Sequence, residues 1–260
     1  MKPLIGYIPA GGRGMRMKPF RLLKELLPVF VPSEQGNDVV LLIENAIQTL
    51  VIGGANDIIC TVSKEKEAII QSINDYYVGN TKANFAFVYQ NLCNNEYGIP
   101  YAINESAPFL RGHTVFMKFP DTIIYPQDSF KQLYEFHTKK GADLTLGVFP
   151  TSHAERLGPV IMRDDGRVIR IEDKPQNPSA NNTWNILIWE DSFLNLLVEY
   201  VENTRNSTSV NKELLMYDIF YKAIESKLNV YGYTFEDGFC HDISCLEDAK
   251  NIWSQSGNAF

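Results

Sequence analysis

Along the first half of the chain, short apolar runs rich in β-branched and aromatic residues alternate with stretches whose apolar positions recur every three or four residues. Residues 3–8 give the first run. Residues 41–50 give the first helical stretch, approached through Asn37-Asp38 and stopped by Gly53-Gly54 before the next run at 58–62. The alternation continues with a helix over 65–74, strands over 85–89 and 115–119, the latter halted by Pro120-Asp121, then a helix over 129–140 and a strand over 142–149. Strands and helices in this order predict an α/β fold, a mainly parallel sheet covered by helices on both faces. After residue 149 the pattern changes. Residues 160–163 and 168–171 flank Asp164-Asp165-Gly166, a hairpin signal. An apolar run at 186–189, helices near 193–202 and 212–226, a strand at 230–234 and a short C-terminal helix complete a mixed α+β second half. No repeat or low-complexity linker separates the halves, so one domain over residues 1–260 is expected.

Composition narrows the function classes. With 260 residues, 45% of them hydrophobic, the chain can bury a large core. A formal net charge of -7 argues against coating a nucleic acid, so any phosphate chemistry must be local. Cys60, Cys93, Cys240 and Cys245 form neither a C-x-x-C pair nor a secreted disulfide framework, which predicts reduced thiols and no zinc site. No apolar stretch approaches the ~20 residues of a membrane span, and the first apolar hexamer is too short for a signal sequence. A soluble, cytoplasmic protein with no membrane partner is the expectation.

The most informative stretch follows the first predicted strand: Gly11-Gly12-Arg13-Gly14-Met15-Arg16, then Lys24-Glu25-Leu26-Leu27-Pro28-Val29. Glycines there let backbone N–H groups close around a triphosphate. Arg16 can fork two phosphate oxygens, and Lys24 can place a point charge at the phosphorus under attack. The spacing fits neither G-x-x-x-x-G-K-[ST] nor G-x-G-x-x-G. An ordinary glycine turn between strand and helix is the bland alternative.

This segment resembles the nucleotide-binding signature of the sugar-phosphate nucleotidylyltransferases, approximately G-G-x-G-T-R followed by P-K-x-L-L-P-V, with Met15 in place of the Thr and Leu23 in place of the Pro. The resemblance implies a Rossmann-like, mainly parallel sheet flanked by helices, of the nucleotide-diphospho-sugar transferase type. It implies a nucleotide-binding N-terminal half that uses Ala10, Gly11, Gly12 and Gly14, with Gln90 and Gly98 near the base. Asp121 resembles the Asp of the family's L-G-D motif, and Asp242, in His241-Asp242-Ile243, resembles the second Asp, of D-I-G-T-P-E-D. Two carboxylates from strand ends about 120 positions apart suit Mg²⁺ held against an α-phosphate. Taken singly, each Asp reads as a turn residue or helix cap. Gly158 and Glu172-Asp173-Lys174-Pro175 are similar to the sugar-phosphate segment, with Asp173 at the usual Glu and Lys174 for the acceptor phosphate; alone, that cluster would be a solvated strand end. Glu213-Leu214 and Asp218 match the later helix, where Asn211 and Lys212 stand in place of Arg-Gly.

The resemblance implies an enzyme that joins a nucleoside triphosphate to a sugar 1-phosphate with release of pyrophosphate, working as a possible homo-oligomer. Arg16 and Lys24 would be its catalytic residues. The departures at Met15, Leu23 and Asn211 motivate a second reading, a non-catalytic nucleotide- or sugar-nucleotide-binding homologue. A dinucleotide-dependent oxidoreductase is disfavoured because Ser33-Glu34 is expected in a polar, Pro-flanked loop instead of at a strand end.

Overall fold

The computed structural model describes residues 2–12, 17, 22–33, 36–77, 82–91, 96–206 and 213–256. In chain order its elements are β1 (Leu4–Pro9), β2 (Pro28–Ser33), β3 (Gly36–Leu41), α1 (Leu42–Ile52), β4 (Asp57–Val62), α2 (Glu67–Tyr77), β5 (Asn84–Tyr89), α3 (Ile99–Leu110), β6 (Thr114–Met117), β7 (Thr122–Tyr125), α4 (Ser129–Lys140) and β8 (Leu144–Pro150). There follow β9 (Val160–Met162), β10 (Val168–Ile171), β11 (Asn182–Trp189), α5 (Asp191–Asn206), α6 (Met216–Glu225), β12 (Val230–Thr234), β13 (Phe239–Asp242) and α7 (Leu246–Ser256).

Seven strands make the central sheet, in the order β12-β8-β11-β6-β1-β4-β5. Every neighbouring pair is parallel except those of β11, which runs antiparallel to both β8 and β6. The two-residue period of a strand sorts its side chains between two apolar layers. Val115 and Met117 of β6 and Leu187 and Trp189 of β11 join one layer, which α3, α5 and α6 cover through Ile103, Phe193 and Ile219. Phe116, Ile186 and Ile188 join the other, under Ile43 of α1, Ile69 of α2 and Phe130 of α4. The expectation of a mainly parallel sheet clothed on both faces is met, and the β9–β10 hairpin forms as the Asp164-Asp165-Gly166 signal indicates.

Three local readings need correction. The approach to α1 through Asn37-Asp38 is strand, not helix cap: both residues lie in β3, paired antiparallel with β2. The cap comes from inside the helix, where Glu44 Oε2 accepts the Leu41 N–H at 2.8 Å. The helix expected from residue 212 begins at Met216, because Leu215 takes the capping position and its N–H donates to Asp218 Oδ2 at 3.2 Å. The four-residue strands β7 and β13 were not anticipated; they pair antiparallel, placing Asp242 opposite Thr122. Cys60, Cys240 and Cys245 are free thiols, while Cys93 lies outside the described residues. Among the described residues no helix is long and apolar enough to cross a membrane.

Candidate active site

The loop after β1 is held from below by a chain of buried hydroxyls. Tyr7 Oη lies 2.9 Å from Thr61 Oγ1, which lies 2.6 Å from Ser106 Oγ, so β1, β4 and α3 are fixed at the level where the strands end. Ala10 then donates its N–H to the Thr61 carbonyl at 2.7 Å, and the chain leaves the sheet at Gly11-Gly12. Gln90, at the end of β5, is similarly anchored by its N–H to Val62 at 2.8 Å. Its side chain lies across Gly11: a Cβ at Gly11 would fall 2.1 Å from Gln90 Oε1. A side chain at position 11 would therefore have to push the Gln90 carboxamide aside. Around Gly12 the space is open.

Gly98 has a different reason. Its φ of +127° is one that side-chain-bearing residues rarely adopt, and a Cβ there would lie 2.1 Å from the Leu214 carbonyl oxygen. The Leu214 N–H in turn donates to the Tyr97 carbonyl at 3.1 Å. The 96–98 segment, ahead of α3, is thus clamped to the segment ahead of α6.

Between these walls lies a cavity of about 530 Å³. Gly11, Gly12, Lys24, Gln90, Gly98 and Asp121 all line it. Lys24, in a single turn of 3-10 helix (Lys24–Leu26), forms an ion pair with Asp121, and both side chains are about one-seventh exposed, at 14% and 16%. Burial by itself would lower the Lys24 pKa, but Asp121, followed by Asp242 and Glu25, holds it above its usual value, so the ammonium is charged. Next to it Glu25 is buried and pairs with the equally buried Lys66 at 2.5 Å, tying the Lys24 turn to the β4–α2 connection.

Asp121 and Asp242 meet through β7 and β13. The ladder sets Asp242 opposite Thr122, and the Ile243 N–H donates to the Asp121 carbonyl at 2.9 Å. Residues 121 positions apart in sequence are thereby neighbours at one end of a two-stranded ribbon. His241 packs its ring on Phe239 with centroids 4.8 Å apart, a structural placement. Among the described residues no group of three or more His, Cys, Asp or Glu is arranged to hold a metal. The donor set is two carboxylates, oxygen only; that suits a hard cation which keeps waters and takes phosphate oxygens as further ligands, as Mg²⁺ does.

Other expected residues fall elsewhere. Gly14 and Arg16, with Met15, lie outside the described residues, as do Asn211 and Lys212. Gly158, Asp173 and Lys174 gather near one another but do not line the cavity. The Lys174 N–H donates to the Leu157 carbonyl at 2.8 Å, and a Cβ at Gly158 would fall 2.5 Å from Trp184 Nε1. The Trp184 ring is 5.8 Å from that of Phe119, which does line the cavity. The Asp173 and Lys174 side chains are exposed, while the adjacent Glu172 carboxylate is bound by Ser179 and Arg170.

Sequence reasoning missed the apolar wall: Tyr97, Ile99, Ala102, Phe119, Leu215 and Met216 also line the cavity. It also missed Lys118, fully buried directly below the site. Burial pulls the Lys118 pKa down to about 8 against the opposing pull of Asp121, Cys240 and Asp242. A lysine inside an otherwise apolar strand was the signal available for it.

A family model described as nucleotidyl transferase matches residues 5–258. A glucose-1-phosphate adenylyltransferase of Clostridium acetobutylicum is 30% identical over 128 residues, 48% of this chain and 32% of that protein. One from Thermotoga neapolitana is 29% identical over 129 residues, covering 48% and 29%. The matched stretch thus spans about a third of the length of those curated relatives. Among solved structures, a Bacillus anthracis protein assigned as a glucose-1-phosphate thymidylyltransferase superposes with a TM-score of 0.79 at 19% identity, covering 97% of this chain and 95% of that one. A UDP-glucose pyrophosphorylase complexed with UDP-glucose superposes with a TM-score of 0.75 at 16% identity over the whole of both chains. At those identities the likeness is one of fold.

Proposed function

The chain belongs to the nucleotidyl transferase family, and we propose that it transfers a nucleotidyl group from a nucleoside triphosphate to a sugar 1-phosphate, releasing pyrophosphate. The observation that carries this reading is the Lys24–Asp121 ion pair at the wall of a 530 Å³ cavity that Gly11 and Gly12 also line, with Asp242 brought beside the Asp121 turn by the β7–β13 ladder although it does not itself line the cavity. The cavity has the size of a nucleotide site, open space at Gly12 for phosphate, and a largely buried cation paired with a carboxylate. Its curated relatives are glucose-1-phosphate adenylyltransferases, which supports this substrate class.

In the reaction an oxygen of the sugar phosphate attacks the α-phosphorus in line; a P–O bond forms to the acceptor as the bond to the bridging oxygen of the β-phosphate breaks, and pyrophosphate leaves. The nucleophile is already an anion, so the protein supplies no general base, and position and charge neutralisation account for the rate. Lys24 leaves Asp121 for the α-phosphate, where it offsets the charge of the transition state. Gly11, Gly12 and Gly14 present backbone N–H groups to the triphosphate, and Arg16 holds its outer phosphates. Gln90 and Gly98 bound the base, and Lys174, with Asp173 and Gly158, receives the acceptor. Asp121 and Asp242 would hold Mg²⁺, which when bound neutralises the α-phosphate and the departing pyrophosphate. The same reading places the protein in the cytoplasm, where its two substrates are made, and allows a homo-oligomer.

The test is pyrophosphate release with dTTP, UTP, CTP, GTP and ATP, each against glucose 1-phosphate and a panel of other sugar 1-phosphates, with Lys24→Ala as control. Release that needs both substrates and Mg²⁺, and falls by ~10² or more in kcat in Lys24→Ala, is the expected result. Nucleotide binding without release across the panel would sink the transferase in favour of a non-catalytic binding protein.

A further inference from the structure

Lys118 lies beneath the turn that carries Asp121. It follows β6, and its side chain is fully buried. A buried lysine loses its hydration, so its ammonium must find protein acceptors. Those acceptors are backbone carbonyls that bracket the turn carrying Asp121: Nζ donates to the Phe119 oxygen at 3.1 Å and to the Thr122 oxygen. The same residue thus closes both ends of the 119–122 turn from below. Thr122 is also the rung of the β7–β13 ladder opposite Asp242, and Ile243 donates to the Asp121 carbonyl at 2.9 Å. A side chain that fixes Thr122 therefore fixes the ladder position that aligns Asp242 with Asp121. An apolar residue here would fill the space but deprive both carbonyls of the Lys118 donor.

We propose that Lys118 is a positioning residue which, through its hydrogen bonds to Phe119 and Thr122, sets the Asp121–Asp242 carboxylate pair to receive a divalent cation. The inference rests on the reading of that pair as the metal site. It is a statement about hydrogen bonds, not about charge: a cation beneath two carboxylates should by itself weaken their hold on a metal ion, whereas loss of the turn's anchor should weaken it too by scattering the ligands. The two accounts predict opposite signs when the ammonium is removed.

The experiment uses the full chain and Mn²⁺ as the probe, with bound metal counted by electron paramagnetic resonance in the wild type, Lys118→Met and Lys118→Gln. Nucleotide affinity in EDTA and thermal unfolding are measured alongside. Lys118→Met removes both charge and donors, and is expected to weaken Mn²⁺ binding ~10-fold or more, the size of loss seen when residues that orient metal ligands are removed, with metal-free nucleotide affinity unchanged. Lys118→Gln restores N–H donors without charge and is expected to bind Mn²⁺ within about fivefold of the wild type. Mn²⁺ affinity equal to the wild type in Lys118→Met overturns the proposal. Tighter binding in both variants overturns it in favour of a purely electrostatic effect, and a tenfold loss in Lys118→Gln overturns the hydrogen-bond account even if Lys118→Met does not fold. A wild type that binds no Mn²⁺ at all removes the metal reading of Asp121 and Asp242, and this inference with it.

Discussion

Gly98 shows how a single position can join two parts of a site. The sequence marks it only as a glycine ahead of a helix, and resemblance adds that a nucleotide packs near it. The structure supplies the physical reason: at φ +127° its α-carbon faces the backbone of Leu214, so that no Cβ fits. Gly98→Ala must therefore strain its own backbone, displace the 213–216 segment, or both. We expect a stability loss of about 1–3 kcal/mol from the strained conformation and a KM for the nucleoside triphosphate raised by roughly tenfold or more, as expected when a positioning wall shifts. Thermal unfolding and steady-state kinetics check the two effects separately; an unchanged KM would show that the nucleotide does not lean on this wall. Lys24 and Asp121 were legible as residue types at motif spacing. Lys118 left only a faint trace, a lysine within the apolar strand predicted over 115–119, and its role stayed hidden because the two carbonyls it binds are brought over it by the turn that follows.

At the scale of elements, long periodic segments declared themselves and short ones did not. Residues 129–140 read as a helix and form α4 with those bounds, because their apolar side chains keep one face and Gly141 closes the end in a left-handed conformation. β2 and β3 carry Pro28, Pro32 and Gly36, and so resemble a loop, yet they pair over six residues because tertiary contacts outweigh local preference. β7 and β13 are four residues each, too short for a period to emerge, although they place both acidic residues. The join between β11 and α5 yields a prediction. Glu190 receives Lys2 Nζ at 2.8 Å and Thr114 Oγ1 at 2.6 Å, with His137 Nε2 3.5 Å away. Burial alone would raise its pKa, but these partners, His137 and Lys2 foremost, hold it down to about 2, below the ordinary 4.5. The unfolded chain then binds the extra proton first, so this stabilisation is present above pH 4.5 and is lost as the pH falls toward 2. Glu190→Gln should unfold at lower temperature than the wild type at pH 7 and show a shallower loss of melting temperature between pH 4.5 and 2.5. Parallel acid limbs in the two proteins would remove Glu190 from the acid response.

For the whole molecule, the arrangement of apolar clusters separates stability from catalysis. Two large layers sandwich the seven-stranded sheet, and a third, smaller cluster lies at the end of the site. In that cluster Leu27 follows the Lys24 turn, Ile123 sits two residues after Asp121, and Ile243 directly follows Asp242; Ala249 of α7 and Leu42 of α1 close it. The three charged groups of the site therefore ride on one small core, and the indole of Trp253 pins α7 to it by donating to the Pro28 carbonyl at 2.8 Å. Ile243 and Leu197 are both wholly buried, the first in this cluster and the second in the layer beneath α5. Truncating either to alanine should cost about 2–5 kcal/mol from lost burial and the cavity left behind. At roughly 2–4 °C per kcal/mol for a chain of this size, both variants should melt clearly below the wild type. Their activities should part. Leu197→Ala leaves the Lys24, Asp121 and Asp242 supports untouched and should keep its kcat when assayed well below its melting temperature. Ile243→Ala lets the ladder rung beside Asp242 relax and should lose kcat by ~10-fold or more under the same conditions, since catalysis by position falls steeply with small displacements. Melting curves and pyrophosphate-release rates on the two variants decide it: equal fractional losses of kcat would mean that the third cluster supports the fold alone and that the charged groups are aligned by the sheet.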